Sequence, residues 1–271
     1  MEFRTKVDIP ASDFTIDACE EMLFVGSCFA DGIGRRARQE KFRATVNPFG
    51  VMYNPASVAH TVERLCADGL HPRVAIITLG TNHVYVLNAT GEIVDNCAKR
   101  PQRLFTEREL TIDECEEYLR HTVGLLKSMR SDIRTIITVS PIRYAKYGYH
   151  GSALSKAVLL IAADRTARAF PQTVTYFPAY EIITDELRDY RFYAADMLHP
   201  SEQAVEYVWE RFGETFFSDD AKRFIAEWTP LRKALEHRPF NPDSDEYRMF
   251  IGDTKAKIKA LKDKYPNMII E

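Results

Sequence analysis

Four short groups in the 271-residue chain hold side chains that could carry out acyl transfer: Gly26-Ser27-Cys28, Gly80-Thr81-Asn82-His83, Ser140-Pro141-Ile142-Arg143 and Asp196-Met197-Leu198-His199-Pro200. Ser27 directly follows an apolar run and precedes FADGIGRRAR, which has helical period. A serine there has its hydroxyl exposed and its backbone N–H at a helix N-terminus, where the dipole favours developing negative charge. Both properties suit a nucleophile, although a lone serine before a helix is more often its N-cap. Asp196 stands three residues before His199, so its carboxylate can bond the ring Nδ1–H, fix the tautomer and leave Nε2 to accept the serine proton. The Asn82 amide could donate to the oxyanion formed when a serine attacks an ester carbonyl. Backbone N–H groups of Ser27 and of Gly50, in the loop NPFGVMYNP, could complete that hole, since a glycine lets the backbone approach a ligand closely. Gly50 taken alone reads as a turn glycine.

Four further residues are candidates for binding substrate. The thiol of Cys28 lies beside a helix N-terminus, where it ionises easily. A Cys28 nucleophile is the lesser variant, because the side chain after a nucleophile normally points the other way. Arg143 follows a strand end and could hold an anionic group, or sit in an ordinary ion pair. Lys156 in SALSKAVLL could face the site or be a solvated helix residue, and His83 could line the pocket or be structural.

The elements that must position these groups read clearly. MLFVGS (22–27), VAIITLGTN (74–82), TIITVSPIR (135–143) and TVTYFPAYE (173–181) are rich in Val, Ile, Thr and aromatics without clean alternation, as strands buried on both faces are. Between them lie segments of helical period at 30–41, 55–69, 107–130, 152–169 and 201–216, the third opening with Thr106 and Glu109 in capping-box spacing. Strands alternating with helices predict βαβ units and a doubly wound parallel sheet, with function gathered beyond the strands' carboxyl ends. FRATVNP (42–48) adds a short strand, and HVYVLNATGEIVDN (83–96) reads as an edge hairpin turning at Ala89-Thr90-Gly91. After residue 216 the pattern changes to charged amphipathic helix around RPFNPDSDE. The chain therefore divides into a main domain over 1–216 and a helical appendage over 217–271 packed upon it, with nothing catalytic in the latter.

FVGSCFADGIG resembles the signature of the GSCFA domain family, bacterial proteins assigned to the SGNH, or GDSL-like, hydrolase superfamily. NPFGVMYNP, TLGTNHVY, DNCAKRP, TVSPIRY, SALSKAVLL and YFPAYEIITDELRDYRFYAADMLHPS extend the resemblance in order through most of the chain. It implies a flavodoxin-like three-layer α/β/α sandwich with about five mostly parallel strands. It also implies that the superfamily's serine falls on Ser27, its glycine on Gly50, its asparagine on Asn82 and its histidine on His199, with Asp196 as the acid. Two positions depart from the usual pattern: Gly26 where Asp precedes the serine, and His83 where Asp follows the asparagine.

Composition narrows the function further. Lys and Arg total 36 against 39 Asp and Glu, a formal charge of −3, which argues against a nucleic-acid partner. RRAR (35–38) reads as the solvated side of a helix. Five cysteines at scattered spacings with no C-x-x-C pair suit reduced thiols, and Cys66 and Cys115 read as core residues. No H-x-x-x-H, H-E-x-x-H, G-x-G-x-x-G or G-x-x-x-x-G-K-[ST] occurs, so neither a metal nor a nucleotide cofactor is expected. No apolar stretch of signal-peptide or membrane-span length is found, and a cytoplasmic location without membrane partners is expected. The resulting expectation is a serine esterase that hydrolyses O-acyl esters, including O-acetyl, of a carbohydrate or small hydroxylated molecule through an acyl-enzyme on Ser27. The alternatives are an O-acyltransferase using the same site, or a non-catalytic binding protein of the same fold.

Overall fold

A computed structural model describes residues 4–270. Five strands, β1 (Glu21–Gly26), β2 (Arg43–Val46), β3 (Val74–Leu79), β7 (Arg134–Val139) and β8 (Val174–Tyr176), form one sheet in the order β2-β1-β3-β7-β8, every neighbouring pair parallel. Met22, Leu23, Phe24 and Val25 of β1 are each 0% exposed, because helices cover both faces of the sheet. On one face Met22, Phe24, Ile76 and Ile136 pack with Phe29 and Ile33 of α1 (Cys28–Gln39) and Phe212 and Phe216 of α6 (Glu202–Phe216). On the other, Leu23, Val25, Ile77 and Ile137 pack with α2 (Pro55–Ala67), α3 (Ile112–Met129) and α4 (Gly148–Ala169) through Val58, Leu119 and Leu159. The doubly wound parallel sheet expected from the residue pattern, and the α/β/α sandwich that the resemblance implies, are therefore present. A short turn, α5 (Ala179–Glu181), runs on as a π-helical turn over Ile182–Leu187.

Two local expectations are corrected. The predicted helix over 107–130 begins later, because its first residues belong to β6 (Phe105–Glu109), which pairs antiparallel with β4 (His83–Leu87). The Thr-x-x-Glu pattern occurs twice in succession, and only the second copy caps the helix: Glu114 N–H donates to Thr111 Oγ1 at 3.2 Å and Thr111 N–H to Glu114 Oε2 at 2.8 Å. The hairpin of β4 and β5 (Ile93–Val94) is not an edge of the main sheet. It joins β6 in a separate three-stranded sheet of order β5-β4-β6, standing beyond the end of β3.

The last two helices, α7 (Asp219–Glu236) and α8 (Asp245–Lys264), enclose a small core of Phe224, Trp228, Ile258, Leu261, Tyr265 and Met268 that closes on Cys19. They are fastened to the end of α1 by Trp228 Nε1–H donating to Gln39 O at 2.7 Å, and by the buried Glu40 carboxylate between Arg36 and Arg232. No helix among the described residues is long and apolar enough to cross a membrane.

Candidate active site at the strand ends

Strand β1 passes into α1 without a linker, and Gly26 makes that possible. Its φ is +144°, and a side chain there would meet the Thr78 carbonyl oxygen at 2.1 Å. The Gly26 N–H donates to Asn47 Oδ1 at 2.9 Å. Ser27 is the N-cap of α1, its Oγ accepting from Phe29 N–H at 3.3 Å and lying 3.1 Å from Thr78 Oγ1. Its own N–H donates to Thr78 O at 3.1 Å and Thr78 Oγ1 at 3.0 Å. Ser27 is 0% exposed. Cys28, the first helical residue, is half-buried, and its Sγ lies 3.4 Å from His199 Nε2. At that position the Cys28 N–H has no intrahelical acceptor and points out of the helix end.

His199 is presented by a tight loop closed by an antiparallel bridge between Tyr193 and Pro200 and by Ala194 N–H donating to His199 O at 2.7 Å. Asp196 Oδ1 accepts from Leu198 N–H at 2.9 Å and His199 N–H at 3.0 Å, while Oδ2 lies 2.6 Å from His199 Nδ1. These bonds, the His199 N–H first, hold the Asp196 carboxyl down at about 2. A carboxylate on Nδ1 selects the tautomer protonated there and leaves Nε2 as an acceptor aimed at the Cys28 thiol. The loop is docked on the segment after β7 by Arg143 N–H donating to Leu198 O at 3.1 Å and Arg143 Nη1 to Met197 O at 3.3 Å.

Of the expected triad, His199 and Asp196 are brought together, but the ring does not meet Ser27. The serine faces Thr78 inside the molecule, and the neighbouring cysteine faces the imidazole. Successive helical residues differ by about 100° around the axis, so an N-cap turned inward leaves the next side chain turned outward. The expected proton path from Ser27 to His199 is thus replaced by contact between Cys28 and His199.

The expected oxyanion groups are otherwise engaged. Asn82 is buried, its Nδ2 donating to Leu110 O at 2.8 Å and its N–H to Ser155 Oγ at 3.0 Å. Its carbonyl oxygen accepts from Leu110 N–H at 2.9 Å, so Asn82 ties the end of β3 to the start of α3. The Gly50 N–H closes a turn on Asn47 O at 2.9 Å. The His83 ring stacks on Tyr147 with centroids 3.6 Å apart, beside a Glu107 carboxylate that takes Lys146 Nζ at 2.8 Å, and burial pushes the imidazole pKa down. Lys156 is not a solvated helix residue: its side chain is buried, and Nζ donates to Gly80 O at 2.6 Å and Ser140 O at 2.7 Å. Arg143 lies over Tyr149 at 4.0 Å from the ring centre, with Tyr190 at 5.8 Å and Tyr193 at 5.7 Å.

Three residues that the motifs did not single out belong to this region. Thr78 takes up the Ser27 hydroxyl, and Tyr53 and Tyr144 stand edge to face 6.3 Å apart, the Tyr53 carbonyl oxygen and the Tyr144 hydroxyl both close to Gly80. Both tyrosines lie inside stretches that carry the family resemblance, NPFGVMYNP and TVSPIRY, and that was the available signal. Among the described residues no group of three or more His, Cys, Asp or Glu side chains is arranged to hold a metal ion.

Solved structures that overlap the chain include an acetylxylan esterase from Geobacillus stearothermophilus in catalytic-mutant form, with 14% identity, a TM-score of 0.47 and coverage of 76% of this chain and 98% of that one. An α/β hydrolase from the metagenome of Lake Arreo, Spain, has 16% identity, a TM-score of 0.46 and coverage of 74% and 96%. A family two carbohydrate esterase from Clostridium thermocellum, in complex with cellohexaose, has 11% identity, a TM-score of 0.44 and coverage of 73% and 64%. At these identities the overlaps bear on neither reaction nor substrate. No curated protein matches the chain. Residues 228–270 match the family model described as the GSCFA domain protein C-terminal domain. Residues 21–73 and 69–212 match the model of the GSCFA family, and the chain belongs to that family.

Proposed function

We propose that this protein is an acyl-ester hydrolase whose nucleophile is the Cys28 thiol, with His199 as the base and Asp196 orienting it. The observation that carries this reading is the line of contacts from Asp196 Oδ2 through His199 to Cys28 Sγ, 2.6 Å and 3.4 Å long, beside a Ser27 hydroxyl buried on Thr78. Read one residue later than expected, Gly26-Ser27-Cys28 falls on the Gly-Asp-Ser order of GDSL-like enzymes, which puts the cysteine in the nucleophile's place.

Burial pushes the Cys28 thiol up, so the sulfur keeps its proton until the imidazole takes it. The sulfur then attacks the ester carbonyl carbon, and the oxyanion develops at the N-terminus of α1, where the Cys28 N–H and the helix dipole favour it. As the intermediate collapses, the bond from carbon to the alcohol oxygen breaks and the imidazolium proton passes to that oxygen, leaving a thioester on Cys28. Water then gives a proton to His199 and attacks the thioester. The acid departs, and the proton returns to sulfur.

The substrate class is an O-acyl ester of a carbohydrate or small hydroxylated molecule. What supports it is the group of Tyr149, Tyr190 and Tyr193 around Arg143 beside the His199 loop, since flat aromatic faces suit the apolar faces of a sugar ring. Acid quenching during turnover of p-nitrophenyl acetate, followed by peptide mass spectrometry, is expected to find an acetyl group on Cys28 that hydroxylamine removes. An acetyl group on Ser27 instead would restore the serine mechanism, and no acyl-enzyme with unchanged turnover in Cys28→Ala would end both.

A further inference from the structure

Arg143 follows β7 at the same end of the parallel sheet at which Cys28 follows β1, with only β3 between the two strands. Neighbouring strands are about 4.8 Å apart, so these two strand ends lie about 10 Å from each other across the sheet. Two bonds pin the arginine to the loop that carries the base: its N–H donates to Leu198 O at 3.1 Å and its Nη1 to Met197 O at 3.3 Å. Met197 has a φ of +58°, a left-handed backbone that side chains rarely adopt and that tends to be kept where it serves a site. Met197 and Leu198 directly precede His199, whose Nε2 lies 3.4 Å from Cys28 Sγ, so the anchor is at most about 7.6 Å of chain from the base. The guanidinium rests on the Tyr149 ring at 4.0 Å, with Tyr193 at 5.7 Å and Tyr190 at 5.8 Å. Tyr149 is 56% exposed and Tyr190 65%, which leaves both open to a ligand. Among the described residues no carboxylate pairs with Arg143: Asp196 is held by His199, and Glu107 by Lys146.

We infer that Arg143 is a specificity-determining residue that binds a carboxylate on the substrate, so that the preferred substrate is an O-acylated sugar acid. The inference rests on the proposed ester hydrolysis at Cys28 and names the class of alcohol released. One guanidinium nitrogen is spent on Met197 O, and the remaining N–H groups form a planar fork without an acceptor among the described residues. A carboxylate is planar too and takes two such donors side by side. Among Arg143, the three tyrosines, Met197 and Leu198 there is one cation, which matches a single negative charge rather than the double charge of a phosphate. The tyrosine rings beside it suit the apolar face of the sugar that bears the acid. An anion held there keeps the rest of the sugar near the thiol and imidazole, using binding at a group remote from the reacting bond to position the ester.

The test is acetate release from a mono-O-acetylated methyl glucuronoside, compared with the same compound carrying a neutral carboxamide in place of the carboxylate. Wild-type protein is expected to favour the acid by roughly ten-fold or more in kcat/KM, the scale of hydrogen bonding to a charged group. Arg143→Gln is expected to bring that ratio to about one, and Arg143→Lys, which keeps the charge without the fork, to leave it in between. A wild type indifferent to the carboxylate overturns the inference. So does an Arg143→Gln that is slower on both compounds at an unchanged ratio, which a role confined to docking the His199 loop would produce. Should the variants fail to fold, salt decides in the wild type: about 0.5 M sodium chloride is expected to cut the acid's advantage several-fold, and an advantage that salt does not move overturns the pairing. The two compounds are also titrated into Cys28→Ala and followed by ligand-observed NMR, where the same preference is expected in binding alone. Tighter binding of the acid with no acetate released by the wild type would end the proposed function and leave the inference standing, whereas turnover of both compounds at equal kcat/KM would do the reverse.

Discussion

The ends of β1 and β3 both carry polar side chains and use them to opposite ends. Where β1 meets α1 and the His199 loop, a thiol, an imidazole and a carboxylate form an open line whose last member faces outward. Where β3 ends, the Asn82 amide is closed off among Leu110 and Ser155, and its Oδ1 lies buried without a partner. An amide engaged in this way cannot turn to a substrate without breaking a buried hydrogen bond, which costs about 1–3 kcal/mol. A polar residue at a strand end is therefore a candidate for chemistry only if its donors and acceptors are not already used in holding the strands together.

That contrast can be broken by exchanging one residue at a time. On the reactive side, Cys28→Ala is expected to lower the initial rate of ester cleavage by roughly a thousand-fold or more, as losing a nucleophile does. Ser27→Ala beside it is expected to retain turnover within a few-fold while losing about 1 kcal/mol of stability, the usual worth of an N-cap. A Ser27→Ala variant with the activity loss assigned here to Cys28 would reverse the comparison. On the structural side, Asn82→Ala is expected to lower unfolding stability by about 1–3 kcal/mol in urea titration, with kcat per folded molecule little changed. A large loss of kcat at unchanged stability would return Asn82 to the oxyanion hole.

The smallest effect concerns acid. The Asp196 carboxyl sits at about 2 in the folded chain against an ordinary 3.8, so its bonds contribute stability that is complete above 3.8 and lost as pH falls through about 2. Asp196→Asn is expected to reduce the dependence of unfolding stability on pH within that window, as read by denaturant titration. A pH dependence identical to wild type there would mean that the carboxylate holds its loop less firmly than its three bonds imply.

Much of the architecture was legible because burial on both faces leaves an unmistakable mark. Met22 to Val25, Val74 to Leu79 and Thr135 to Val139 read as strands from their apolar continuity, and the helices between them from their period. The repeated Thr-x-x-Glu pattern was not resolved by local reading. Either copy could cap a helix, and the pairing of Phe105–Glu109 with β4, a contact distant in sequence, selected the second.

The residues of the candidate site were legible from the sequence, but not which of two neighbours meets the imidazole. Gly26-Ser27-Cys28, Asp196 and His199 could be picked out from type and position alone, and the local bond of Asp196 to His199 follows from their spacing. The choice between Ser27 and Cys28 depended on Thr78, fifty-one positions away, which takes the serine hydroxyl into the sheet. The environment of Lys156 likewise depended on two carbonyls just past the ends of different strands. Residue order along the chain sets what is available within a few positions, through period, caps and turns. Which of two adjacent side chains faces His199, and which amides are already hydrogen-bonded, is decided only when distant strands meet, because burial and polar pairing are properties of neighbours in space.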